Sequence, residues 1–183
     1  MGKYDYLRER YNPEGSELRK RQLVMLDILR AIDIICKKHD IKYMLSYGTA
    51  LGAVRHSGFI PWDDDLDIEM LPNDFKKFLN VVSDELPDGM ALQTHNTDSN
   101  YWGVYAKIRD CSTAIEEKTG GWLYDKYKYK GLYVDVFKIE PSHYKISKFS
   151  DVLYSNVIIK QAKRIKSSSL TRILLKIPYL LLT

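Results

Sequence analysis

Residues 65–70 place acidic and apolar side chains in strict alternation. Successive side chains of a β-strand point to opposite faces, so this stretch predicts a strand with one acidic and one apolar face. Leu66 and Ile68 then face a hydrophobic core, while Asp65 and Asp67 share the other face. A chain with such a strand must fold so that one side of a sheet is buried and the other side carries clustered carboxylates.

The acidic face extends backward to Asp63, because Asp63, Asp65 and Asp67 are spaced two residues apart. Such residues are about 6.5–7 Å apart at Cα in a strand, so their carboxylates can converge on one hard divalent cation. We predict that they ligate Mg²⁺ or Mn²⁺, which can orient a phosphate for in-line attack.

A solvated turn is the alternative for this acidic run. Mutual repulsion of four carboxylates beside apolar neighbours, with no cation in the segment, favours the metal site. Calcium storage is disfavoured because the run lacks the Gly and Glu positions of an EF-hand loop.

Hydrophobic periodicity predicts an α+β fold, a small mixed sheet flanked by helices. Helices are predicted at about 16–38, with Ser16 as the N-cap, at 50–56, and at 73–84. Strands are predicted at 43–47, 66–70, 90–95, 103–110, 113–117 and 132–139, and two further helices at 146–166 and 169–181. We expect a catalytic domain over residues 1–140 and a basic helical segment over 141–183.

Three other short motifs could bind phosphate. Gly48-Thr49 follows a predicted strand and opens a helix, where free N–H groups suit a phosphate, although an ordinary turn has the same residues. Lys107 and Arg109 share one strand face and would either contact phosphates or face solvent on an edge strand. The pair Arg55-His56 is equally open to a substrate-binding or a structural role, with His56 able to act as an acid or base.

Asp135 is a carboxylate inside an otherwise apolar predicted strand. Burial of an unpaired carboxylate is costly, so the side chain must have a partner. A salt bridge to a neighbouring Lys or Arg is one expectation, and ligation of the metal beside Asp65 and Asp67 is the other.

Charge and cysteine content exclude several classes of protein. Residues 152–183 hold six of the 28 basic residues and none of the 24 acidic ones, so the remainder has a net charge of −2 and nucleic-acid binding is not expected. The two cysteines, Cys36 and Cys111, are too far apart in sequence for a zinc knuckle and fit a reducing compartment. Residues 1–10 lack the apolar core of a secretory signal, so we expect a cytoplasmic location.

The basic segment 152–183 has apolar residues at helical spacing. Basic amphipathic helices can lie on anionic membranes, which would place the protein at the inner face of the membrane, or they can simply cover the sheet. Because the last residues, 179–183, are apolar, we also expect the chain to be the front part of a longer protein.

Residues 43–68, which contain Gly48-Thr49 and Asp63-Asp64-Asp65-Leu66-Asp67, closely resemble the signature of the LicD family. Residues 107–113 resemble its second block and residues 131–137 its third. That family includes bacterial phosphocholine transferases, and the fukutin-related ribitol-phosphate transferases share its catalytic pattern. The cysteine-rich zinc site of the latter has no counterpart here.

The resemblance implies a nucleotidyltransferase-like fold, with Asp65, Asp67 and Asp135 as the catalytic carboxylates. It implies transfer of a phospho-alcohol, such as phosphocholine, from a CDP-linked donor to a sugar hydroxyl of a glycan in teichoic acid, lipopolysaccharide or capsule. A lipid-linked glycan acceptor would fit the inner face of a membrane. The alternatives are a nucleotidyltransferase that moves a nucleoside monophosphate and a catalytically silent glycan- or nucleotide-binding module.

Overall fold

A computed structural model describes residues 4–101, 103–116 and 124–140, which contain four α-helices, five strands and a short 3₁₀ segment at 124–126. The helices are α1 (Asp5–Tyr11), α2 (Glu17–Lys38), α3 (Tyr47–His56) and α4 (Pro72–Glu85). The strands are β1 (Met44–Leu45), β2 (Asp67–Met70), β3 (Met90–Gln93), β4 (Ala106–Asp110) and β5 (Tyr133–Lys138).

The five strands form one sheet in the order β1-β2-β5-β4-β3. Strands β2 and β5 are parallel, and all the other neighbours are antiparallel. The predicted α+β class with a mixed sheet is therefore confirmed, and the architecture is consistent with a nucleotidyltransferase-like fold. Strands β2, β5 and β4 lie inside the sheet, so their side chains meet neighbours on both sides.

Helix α2 begins where the sequence predicted. The Ser16 side chain accepts a hydrogen bond from the Arg19 N–H at 3.2 Å, which satisfies one of the free donors of the first turn. The helix ends at Lys38, and the apolar stripe of its inner face is buried in the core.

One face of the sheet forms the core with α2 and α4. The buried apolar residues of the strands, together with Leu66 directly before β2, occupy alternate positions on this face and pack with Ile28 and Ile32 of α2 and Phe78 and Val82 of α4. They are Leu66, Ile68, Met70, Leu92, Ala106, Ile108, Val134 and Val136. The opposite face therefore receives the intervening side chains, which on β2, β4 and β5 are polar or aromatic.

Several predicted boundaries are wrong. Residues 113–116 are not a strand, because the Thr113 N–H and hydroxyl bond to Asp110 in a turn. Helix α3 begins at Tyr47 and not near Ala50, and helix α1 was not predicted. The predicted helices 146–166 and 169–181 lie outside the described residues, so the proposed division at residue 140 stays a prediction. Within the described ranges, no helix has the length and apolarity needed to span a membrane.

Candidate active site

The polar face of the sheet carries a row of charged and amide side chains at one level. Asp67 of β2 is the register partner of Asp135 of β5, which is in turn the partner of Lys107 of β4. Gln93 of β3 completes this row, which we call the acidic row, as the partner of Lys107. The sheet thereby brings Asp67 beside Asp135, although 68 positions separate them in the sequence.

A turn over residues 60–63 leads into the acidic residues before β2, and we call residues 60–66 the acidic turn. The Asp63 N–H donates to the Ile60 carbonyl at 3.0 Å, and the strand itself begins only at Asp67. The prediction that Asp63 and Asp65 lie on the strand is therefore wrong, because this turn removes the Asp63 N–H from strand pairing. Asp63 is half-buried and Asp64 is exposed.

The turn nevertheless brings carboxylates together. One oxygen from each of Asp63, Asp64 and Asp65 lies within 4.8 Å of the other two. Among the described residues no other group of three potential ligands is this close, so the predicted set of Asp63, Asp65, Asp67 and Asp135 is not assembled within that distance. That ligand set stays a prediction.

Burial and mutual repulsion perturb the carboxylates at the head of β2. Burial, and then the charges of Asp65 and Asp135, raise the pKa of Asp67 to about 7, an effect that Lys107 partly offsets. Burial and the neighbouring Asp65 raise the pKa of Asp63 to about 6. Both carboxyl groups thus lie where the ionised form is disfavoured unless a cation compensates for the charge.

These oxygens fit a hard divalent ion. The donors are all carboxylates, and they converge within a few ångströms in a partly desolvated turn, which is the ligand chemistry of Mg²⁺ and Mn²⁺. Burial and mutual repulsion raise the pKa of Asp63 and Asp67, and a bound cation would offset both effects. Asp63, Asp64 and Asp65 are the residues of this group that would hold the ion, and Asp67 follows them at the start of β2.

Gly48 and Thr49 support the carboxylates from α3. A Cβ atom at Gly48 would lie 2.7 Å from Oδ2 of Asp63, so only glycine leaves that carboxylate in place. The Thr49 hydroxyl accepts a hydrogen bond from the Asp67 N–H at 2.9 Å and so anchors the first residue of β2. The structure thus gives both residues a role in positioning the aspartates, and their predicted contact with phosphate stays a prediction.

Asp135 has the salt bridge that the sequence suggested as one possibility. Its Oδ1 accepts a hydrogen bond from Lys107 Nζ at 2.7 Å, and the Lys107 side chain is only 2% exposed. The ammonium group also lies 3.2 Å from the centroid of the Tyr133 ring. Lys107 therefore neutralises part of the negative charge of this row from within the sheet.

Arg109 is further from solvent than predicted. The side chain is fully buried and donates from Nε to Gln93 Oε1 and from Nη1 to the Gly131 carbonyl, each at 2.7 Å. The suggestion that Lys107 and Arg109 face solvent on an edge strand is wrong, because β4 lies between β3 and β5. These bonds make Arg109 a brace between strands, and a phosphate contact would have to displace them.

Arg55 and His56 lie in the last turn of α3, at the opposite end from Gly48. Arg55 is exposed, and the His56 ring lies 5.1 Å from the Tyr4 ring and 6.4 Å from the Trp62 ring. His56 also lines a cavity of about 280 Å³ between α1, α2 and α3. The structure does not group these two residues with the acidic row.

Comparison with known proteins identifies the family of the chain. The sequence model of the LicD/FKTN/FKRP nucleotidyltransferase domain matches residues 40–167, more than half of the 183-residue chain. The chain belongs to this LicD family. All the strands and the acidic turn lie within the matched range.

Individual relatives agree with this assignment. The chain is 40% identical over 104 residues to the lipopolysaccharide cholinephosphotransferase LicD of Haemophilus influenzae, a match that covers 56% of the chain and 39% of that protein. It is 40% identical over 63 residues to an uncharacterized protein of Rickettsia typhi, covering 34% of the chain and 20% of the relative. An uncharacterized protein of Rickettsia prowazekii is 44% identical over 55 residues, covering 30% of the chain and 21% of the relative. The match thus spans about two fifths or less of each relative.

Two residues of this LicD-family site were missed by sequence reasoning. Gln22 is fully buried in α2, and its Nε2 donates to the carbonyls of Ile60 and Asp63 at 3.3 and 2.9 Å, which holds the acidic turn. The sequence signal for Gln22 was an amide side chain on the apolar face of a predicted helix, three residues before Met25.

Tyr47 is the second missed residue. It opens α3 with φ of +44°, a left-handed conformation that costs a bulky residue about 1–2 kcal/mol. The residue is 71% exposed, and its ring contacts Phe137, which lies two positions after Asp135 on β5. Sequence reasoning placed Tyr47 at the end of a strand, and the only available signal was a large aromatic residue directly before Gly48-Thr49.

Proposed function

We propose that this LicD-family domain transfers a phospho-alcohol, phosphocholine in the first instance, from a CDP-linked donor to a sugar hydroxyl of a glycan. The observation that best supports this proposal is the acidic row, in which Asp67 lies beside Asp135. The clustered carboxylates of residues 63–65 continue this row, and Asp63 lies against Gly48. The 40% sequence identity over 104 residues to a lipopolysaccharide cholinephosphotransferase makes lipopolysaccharide the acceptor to test first, ahead of teichoic acid and capsule.

In this proposal Asp65 and Asp67, with Asp63 or Asp135, hold Mg²⁺ or Mn²⁺. The bound ion would supply charge neutralisation for the diphosphate of the donor. Gln22, Gly48 and Thr49 keep the carboxylates in place, and Lys107 contributes a positive charge within the row.

The proposed reaction is a single displacement at phosphorus. The sugar hydroxyl oxygen forms the new bond to the phosphocholine phosphorus, the bond from that phosphorus to the CMP oxygen breaks, and CMP leaves. The hydroxyl proton goes to a carboxylate, for which Asp135 is the candidate because Lys107 fixes its Oδ1 at 2.7 Å.

The test is product analysis with a panel of CDP-alcohols, Mg²⁺ or Mn²⁺ and a lipopolysaccharide acceptor, with EDTA as the metal-free reaction. We expect metal-dependent release of CMP, reduced at least about 100-fold in Asp67→Asn because a ligand is lost. Asp84→Asn, at an exposed position of α4, is the matched control. Equal rates for wild type and Asp67→Asn would refute the assignment.

The same experiment separates the alternatives. Release of pyrophosphate from a nucleoside triphosphate, without CMP from any CDP-alcohol, would identify a nucleotidyltransferase. Nucleotide binding without turnover would identify a binding module.

The membrane location remains a separate proposal that rests on residues 152–183. Liposome flotation of the whole chain and of a chain ending at residue 151 tests it with anionic and neutral vesicles. Equal flotation of the two chains on anionic vesicles would remove the membrane contact from the proposal.

A further inference from the structure

An aromatic wall adjoins the acidic row on the polar face of the sheet. We define this wall as Tyr47, Tyr105 and Phe137. The Phe137 and Tyr47 rings meet edge to face, with centroids 5.9 Å apart at 85°, and the Phe137 and Tyr105 centroids are 4.7 Å apart at 44°. Three rings from α3, the segment before β4, and β5 thus form one continuous surface.

The wall lies one side-chain level along the strands from the carboxylates. Phe137 follows Asp135 by two positions on β5, and Glu69 follows Asp67 by two positions on β2, so each pair shares a face about 7 Å apart. Glu69 is also the register partner of Phe137 and of Met44. The Glu69 carboxylate therefore lies at the same level along the strands as the Phe137 ring.

Tyr47 shows that this arrangement is maintained against strain. Its left-handed backbone and its 71% exposed ring are unfavourable for a residue that serves only packing. Such strain at an exposed aromatic residue is typical of a ligand contact. The next residue, Gly48, lies against Asp63, so the same turn of chain contacts both the wall and the acidic turn.

We propose that the aromatic wall binds the quaternary ammonium group of the donor alcohol, so that the enzyme prefers choline. This inference rests on the proposed function, since it assigns the alcohol end of the same donor. Because the Lys107 ammonium already lies 5.2 Å from the Tyr105 ring centroid, the ring faces of Tyr47 and of Phe137, the register partner of Glu69, are the ones that attract a trimethylammonium group. Such a group has no hydrogen-bond donor and favours cation–π contact. The perpendicular rings of Tyr47 and Phe137 form a corner that suits a rounded cation, whereas a planar base would need a parallel slot.

The geometry agrees with the size of the donor. In phosphocholine a two-carbon linker separates the phosphate oxygen from the nitrogen, a span shorter than the step of about 7 Å between strand positions two apart, and the N-methyl groups extend the reach toward the wall. A phosphate beside Asp67 and Asp135 would therefore direct the ammonium group toward Phe137 and Glu69.

The test measures binding by calorimetry, with phosphocholine, choline, phosphoethanolamine and 3,3-dimethylbutan-1-ol, the neutral carbon analogue of choline. Wild type is expected to bind choline and phosphocholine more tightly than the neutral alcohol. Tyr47→Leu and Phe137→Leu are each expected to weaken choline binding roughly 3- to 30-fold. Tyr47→Phe, which keeps the ring face, should restore binding, and Tyr6→Leu, at an exposed tyrosine of α1, is the matched control.

The outcomes separate this inference from the proposed function. Choline binding that depends on Tyr47, without CMP release from any donor, would support the wall and contradict the transferase. CMP release from CDP-choline with unchanged KM in Tyr47→Leu and Phe137→Leu would contradict the wall alone. Weaker CMP binding with unchanged choline binding in Tyr47→Leu would show that the wall holds the base, and equal binding of choline and its neutral analogue would also overturn the proposal.

Discussion

At the scale of single residues, the site depends on how closely the backbone at Gly48 approaches the carboxylate of Asp63. Gly48 is an example, since a methyl group there would lie 2.7 Å from Oδ2 of Asp63. A contact that close forces the Asp63 side chain to move, because flexible side-chain atoms shift more easily than backbone. The glycine is thus a requirement of the acidic turn and not of helix α3.

We predict that Gly48→Ala weakens binding of Mn²⁺ about tenfold by displacing Asp63. Its free energy of unfolding should change by less than about 1 kcal/mol, because alanine favours the helix while the clash opposes folding. Manganese binding followed by electron paramagnetic resonance and urea denaturation measure the two effects. Gly58→Ala is the matched control, because no atom lies within 4 Å of the added Cβ; equal Mn²⁺ affinity in both variants would contradict the prediction.

At the scale of elements, helix α2 does more than cover the sheet. Gln22 projects from its apolar face and bonds to the carbonyls of Ile60 and Asp63, and its Oε1 accepts from Asn12 Nδ2 at 3.0 Å. One amide therefore ties the chain before α2 and the acidic turn to the helix. Buried polar groups that lose such a partner remain unsatisfied, which makes the contact energetically important.

We predict that Gln22→Met lowers the free energy of unfolding by about 2–3 kcal/mol, because the two carbonyls and the Asn12 amide lose their partner while the volume is kept. The substitution should also accelerate amide hydrogen exchange more in residues 60–66 than in the strands of the sheet. Arg21→Met, at an exposed position of the same helix, should leave both quantities unchanged. Unaltered exchange in residues 60–66 of Gln22→Met would show that the amide does not hold the turn.

At the scale of the whole molecule, the acidic site opposes folding in the absence of metal. The pKa values of Asp63 and Asp67 are raised in the folded protein to about 6 and about 7 from the ordinary aspartate value of 3.8, chiefly by burial. The folded state therefore binds more protons than the unfolded state between about pH 4 and pH 7. Stability from these two groups is present at low pH and is lost as pH rises through that window.

We predict that Asp67→Asn is more stable than wild type by about 1–2 kcal/mol at pH 8 without metal, a value that allows for solvent screening. The difference should disappear near pH 4, where wild type is protonated. Mg²⁺ should raise the Tm of wild type at pH 8 more than at pH 5, because it binds the ionised carboxylates. Thermal denaturation with and without EDTA measures this, and Asp84→Asn should follow wild type; an absent Mg²⁺ effect at pH 8 would contradict a metal site.

The sequence by itself determined the class of fold and the acidic strand. Alternation at residues 66–70 and the capped stripe of α2 depend on local periodicity and capping, which act within a few residues. The family resemblance also needed only the linear motifs, and the match over residues 40–167 confirms it.

Only the tertiary structure decided which side chains meet. The parallel pairing of β2 with β5 places Asp135 beside Asp67, and the position of β4 inside the sheet buries Lys107 and Arg109. Neither fact follows from local spacing, because register between distant strands is set by how the whole apolar face packs on α2 and α4. The aromatic wall has the same origin, since Tyr47, Tyr105 and Phe137 come from three separate segments that only the sheet brings together.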